Sequence, residues 1–116
     1  MTTDNEKQLN ELAKLREKFA KSLDGRIEEI ASLSQKISDN PNQREASLLQ
    51  TSLRSSAHKL SGSAGSYGFP EVSRICKQID IFTQGCEELI ERSATERLDI
   101  LKSLVAQLRK AKEFTQ

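Results

Sequence analysis

The stretch "SSAHKLSGSAGSYGFP", residues 55–70, holds the only histidine of the chain and three of its five glycines. Its ends are readable first. Tyr67-Gly68 is a helix stop, because a glycine can adopt the left-handed conformation that closes a C-terminus. Pro70 cannot continue that helix but suits the first position of the next one. Upstream, Leu49, Leu53, Leu60 and Ala64 recur at helical spacing, so the stretch is the end of an amphipathic helix that starts near Gln43. At ~100° per residue, these leucines fall roughly 180–220° from His58. Thr51, Arg54, Ser55, Ser61, Gly62 and Gly65 fall within about 60° of it by the same rotation. His58 is therefore expected on the outer face, in a strip of small and polar residues. Two glycines inside a helix cost about 1 kcal/mol each relative to alanine. A strip kept bare at that expense implies that another surface approaches His58 closely.

Working outward, a first helix is expected from about Asp4 to Leu23, with an apolar stripe of Leu9, Leu12, Phe19, Ala20 and Leu23. Asp24-Gly25 reads as a turn, and a second stripe follows at Ile27, Ile30, Leu33 and Ile37. "SDNPNQ", residues 38–43, reads as a loop around Pro41. Beyond Pro70, a helix carries Val72, Ile75, Ile79, Phe82, Cys86 and Leu89, with Gly85 as a possible kink. "SATE", residues 93–96, is a capping box that opens a last helix with Leu98, Leu101, Val105 and Leu108. The fold class expected is all-α: an antiparallel four-helix bundle, up-down-up-down, with an additional N-terminal helix. At 116 residues the chain fits a single domain over 1–116.

Composition removes several function classes. Eighteen basic and seventeen acidic residues leave a net charge of +1 with no basic block, which argues against nucleic-acid binding. No apolar run approaches the ~20 residues of a membrane span, and "MTTDNEKQLN" is too polar for a signal peptide. A cytoplasmic monomer is expected. Cys76 and Cys86 both fit an apolar helical stripe and read as reduced core residues rather than a disulfide. Serine-hydrolase chemistry needs a nucleophile and an acid converging in a pocket. A metal centre needs more ligands than one histidine, and no Walker-type loop is present for ATP hydrolysis. Imidazole ordinarily titrates near ~6.5, so a large neutral, nucleophilic fraction exists at neutral pH. A covalent carrier that accepts a group and passes it on fits what is left. Phosphoryl transfer suits such a carrier, since its catalysis is mostly positioning and charge neutralisation.

"AHKLSGSAGSYGF", residues 57–69, resembles the signature of histidine-containing phosphotransfer (Hpt) domains, H-x-L-K-G-S-[SA]-x-x-x-G. His58, Leu60, Gly62, Ser63, Ala64 and Gly68 occupy matching positions, and the helical pattern extends the similarity over about residues 20 to 110. The resemblance implies a four-helix bundle with a short or packing N-terminal helix. It implies that His58, through Nε2, takes a phosphoryl group from a receiver-domain aspartate of a hybrid sensor kinase and passes it to the receiver of a response regulator. It also implies no ATP-binding or catalytic activity of its own, and no resident metal, the receiver bringing Mg²⁺ and its acidic pocket. One position departs from the family: Ser61 stands where lysine is usual. Lys59 and Arg54 are the cations that could stand in for it. Ser55, Gly62 and Gly65 complete the expected docking environment, and "QID", residues 78–80, adds Asp80 together with Lys77 as weaker candidates on the next helix. Two other readings share this face. One is a bundle that binds and inhibits a kinase or receiver, and the other is the phosphorylated domain of a chemotaxis-type kinase.

Overall fold

The computed structural model describes residues 4–39, 42–84 and 94–114. These form four helices: α1 (Asp4–Asp39), α2 (Gln43–Ser66), α3 (Pro70–Thr83) and α4 (Ala94–Ala111), with no strand among the described residues. No helix there is long and apolar enough to cross a membrane.

The expected division at Asp24-Gly25 is corrected: α1 runs unbroken for 36 residues, so there is no separate N-terminal helix. The reason lies in the stripe. Phe19, Leu23, Ile27, Ile30, Ser34 and Ile37 recur at spacings of four or three, and all are buried. That pattern passes through Gly25 without a change of phase, and a single interior glycine costs only about 1 kcal/mol. The N-terminal end of the stripe is also corrected. Leu9 and Leu12 are exposed, because α1 extends past the other helices before Phe19.

Neighbouring helices run antiparallel. Phe19 of α1 meets Tyr67 at the end of α2, while Arg26 and Glu29 lie beside Ser56, Lys59 and Leu60. Gln50 and Ser61 of α2 reach Thr83 and Ser73 of α3 respectively. Glu28 and Asp24 of α1 pair with Arg109 and Lys112 at the end of α4. The order around the bundle is α1, α2, α3, α4 and back to α1. Its core joins Leu53, Ala57, Leu60 and Ala64 of α2 to Val72, Ile75, Cys76 and Ile79 of α3 and to Leu101 and Leu108 of α4. Leu49, Leu33 and Phe82 sit at its edge, half-buried.

The helix ends follow the expected chemistry. The Asn42 side chain accepts hydrogen bonds from the Arg44 and Glu45 backbone N–H groups and caps α2. At the other end Gly68 takes φ 86°, and the Phe69 N–H donates to the Ala64 carbonyl at 2.9 Å, a Schellman closure. Pro70 opens α3, and the Phe69 carbonyl accepts its first hydrogen bond, from Ser73 N–H at 3.1 Å. Cys76 is free and buried. Asn40, Pro41, Gly85, Cys86, Leu89, Ser93 and the Leu98 side chain lie outside the described residues.

Candidate functional site

Positions 53, 57, 60 and 64 carry α2's inward face, and all four are at most 2% exposed. Residue 58 must then point outward, and the His58 side chain is 76% exposed. It does not stand alone. Across the α2–α3 groove, His58 Nδ1 lies 3.0 Å from Asp80 Oδ2. The same carboxylate accepts a hydrogen bond from Arg54 Nε at 3.3 Å through Oδ1. Asp80 itself is mostly covered, its side chain 15% exposed, while Arg54 and His58 lie on its solvent side.

An ionised carboxylate only accepts hydrogen bonds, so this contact places the ring proton on Nδ1. In the neutral ring that leaves Nε2 with its lone pair, turned away from Asp80. The arrangement holds one ring nitrogen against Asp80 and offers the other to solvent. Thr51, Arg54, Ser55 and His58 line a shallow concavity on this face.

Gly62 keeps the next turn open: a Cβ built there would meet nothing within 4 Å. Gly65 is exposed, on the solvent side as expected, but it also borders α3. A Cβ at that position would stand 3.3 Å from Ser73 Oγ, so the glycine serves the close approach of α3. Ser61 is corrected, from the accessible strip to the helix interface. It is 6% exposed, donates to the Ser73 carbonyl at 3.2 Å, and accepts at its own carbonyl from Ser73 Oγ at 2.8 Å. The two serines stitch the backbones of α2 and α3 one turn beyond His58. The lysine expected there would have to replace half of that stitch.

The two cations separate as well. Arg54 joins the cluster through Asp80, whereas Lys59 lines a groove on the α1 side with Arg26 and Glu29. Lys77 is exposed one turn before Asp80 and, among the described residues, pairs with neither Asp80 nor His58. Sequence reasoning missed Ser73 altogether. A signal existed: Ser73 lies seven residues before Asp80, hence on the same face of α3. No three His, Cys, Asp or Glu side chains gather as a possible metal site among the described residues.

A family model, the Hpt domain, matches residues 14–111, which spans the whole bundle. The chain belongs to the Hpt domain family. Neither a curated protein nor a solved structure matched it in the other comparisons. Hpt domains are phosphocarrier modules of two-component phosphorelays: they hold phosphohistidine, interact with receiver domains and have no catalytic activity themselves. Within the matched span this Hpt domain has one histidine, His58.

Proposed function

We propose that this Hpt domain accepts a phosphoryl group on His58 Nε2 from the aspartyl phosphate of a receiver, and passes it to the receiver of a response regulator. The observation that carries this reading is the pairing of His58 Nδ1 with Asp80 at 3.0 Å on a ring that is otherwise exposed.

In the forward step the Nε2 lone pair attacks phosphorus. The N–P bond forms as the P–O bond to the donor aspartate breaks, and that carboxylate leaves with the electron pair. No proton has to move. The ring, protonated on Nδ1 throughout, becomes a cation when Nε2 is phosphorylated, and the Asp80 carboxylate faces the nitrogen that shares this charge. In the second step a carboxylate of the next receiver attacks phosphorus and the neutral imidazole departs. Arg54 stands one turn from His58 on the exposed side, where its remaining guanidinium donors can meet phosphoryl oxygens. Ser55 and Gly62 leave room for the receiver, which brings the Mg²⁺ and acidic pocket that this chemistry requires. The Ser61–Ser73 stitch and Gly65 act behind the ring, by holding α2 and α3 in the register that brings Asp80 to His58.

The deciding test is transfer from a phosphorylated receiver to the protein. The wild type is expected to acquire label that is acid-labile and base-stable, and His58→Gln to acquire none. Equal label on both would overturn the assignment. Inhibition of a kinase or receiver that survives in His58→Gln would instead support the binding-inhibitor reading.

A further inference from the structure

The first four turns of α1, residues 4–18, are exposed on every side. They nevertheless carry an apolar stripe: Leu9, Leu12 and Leu15 are 65%, 37% and 48% exposed. On a helical wheel these leucines lie within about 80° of Phe19 and Leu23, which enter the bundle core. The stripe that holds α1 in its own bundle thus continues, partly exposed, for roughly 15 Å before Phe19. Single exposed leucines are ordinary on protein surfaces, whereas three in register form a helix seam.

Charge tells what covers it. Residues 4–11 hold Asp4, Glu6 and Glu11 against Lys7, a net charge of −2. Residues 12–21 hold Lys14, Arg16, Lys18 and Lys21 against Glu17, a net charge of +3. A helix with an acidic tip and a basic root complements itself when a copy is laid beside it head to tail, and repels itself side by side in parallel. With the two-fold axis near Glu11, Asp4 and Glu6 of one copy come level with Lys18 and Arg16 of the other. That register also sets Leu9 beside Leu12 of the second copy. Lys18 is the last exposed residue before Phe19, which is buried in its own bundle.

We propose that the overhanging part of α1 is a self-association surface, pairing antiparallel with the same segment of a second copy through Leu9, Leu12 and Leu15. This departs from the monomer expected from sequence, and it is independent of the role given to His58. Two 15-residue segments bury less than the ~1,000 Å² typical of a lasting interface. The dimer is therefore weak and depends on concentration, with dissociation in the ~10–100 μM range.

Sedimentation velocity of the full chain across that range tests it. Wild type is expected to move from 13.0 kDa toward twice that mass as concentration rises. Leu9→Ser/Leu12→Ser/Leu15→Ser is expected to weaken association at least ~100-fold while keeping the bundle's cooperative unfolding, because its changes lie outside the core. Orientation is read by disulfide capture with Cys86 replaced by serine. Asp4→Cys mixed with Lys18→Cys should cross-link faster than Asp4→Cys with itself. A wild type that stays monomeric throughout, a triple variant that associates as well as wild type, or faster capture of Asp4→Cys with itself would each overturn the proposal.

Discussion

Asp80 pairs with His58 Nδ1, and in the proposed transfer it would do two separable things: fix the ring by a hydrogen bond and face the charge the ring would acquire. Asp80→Asn retains an oxygen that can accept from Nδ1–H but loses the charge. Transfer into His58 is expected to slow about tenfold, equivalent to ~1.4 kcal/mol of barrier. Asp80→Ala loses both effects and should slow it further. Nitrogen NMR of the ring separates them, since the Nδ1–H tautomer should persist in the asparagine variant and give way to a mixture in the alanine variant. At Gly62, arginine should leave the helix content unchanged and impair transfer by standing between His58 and its receiver, a result read by phosphotransfer kinetics. Cys76 gives a control unrelated to phosphate: burial pushes its thiol up to about 12. Alkylation at pH 8 should therefore be far slower in the folded protein than in denaturant. The outward direction of His58 was legible in the sequence because a wheel needs only a helix and its leucines. Asp80's hydrogen bond was not, since it joins residues 22 positions apart across a turn. Ser61 was misread for a related reason: a wheel gives an angle, but not the direction from which the next helix arrives.

At the scale of the element, α1 shows how a local signal loses to a periodic one. Asp24-Gly25 has the composition of a turn, and yet the buried spacing from Phe19 to Ile37 never breaks step. Both facts stood in the sequence, and energetics decide between them: one glycine is a small penalty against six buried positions in phase. A Cβ at Gly25 would meet nothing within 4 Å. Gly25→Ala is therefore expected to stabilise the protein by about 0.5–1 kcal/mol in denaturant unfolding, where a turn at that site would make it destabilising. The α2–α3 pair gives the converse case. Ser73→Ala removes the donor to the buried Ser61 carbonyl and should cost about 1–2 kcal/mol, read from the same unfolding curves. It should also slow transfer modestly, because the register that holds Asp80 against His58 is loosened. The Tyr67–Pro70 closure, by contrast, was fully legible, since a left-handed glycine and a helix-opening proline have chemical signatures that do not depend on the rest of the fold.

For the whole molecule, α1 and α4 meet along a polar seam that closes the bundle. Arg109 donates two hydrogen bonds of 2.9 Å to Glu28 and holds its carboxyl below the ordinary value of 4.5. A folded-state value below the unfolded one makes this contribution present above the ordinary range and lost as pH falls through the lowered value. Both groups are exposed, so the effect is small. Glu28→Gln should remove that part of the acid dependence of stability and leave the neutral-pH melting temperature nearly unchanged. The stitch between α2 and α3 has a wider consequence. The core lies on one side of α2 and the His58 ring on the other, with Ser61 and Ser73 joining the helices behind it. A phosphoryl group arriving at His58, as proposed, would meet a ring whose backing contacts are already made. The loaded and unloaded forms should share one shape, so that a receiver distinguishes them by local charge alone. In the proposed role, such a molecule would store its message as a covalent token rather than as a conformation.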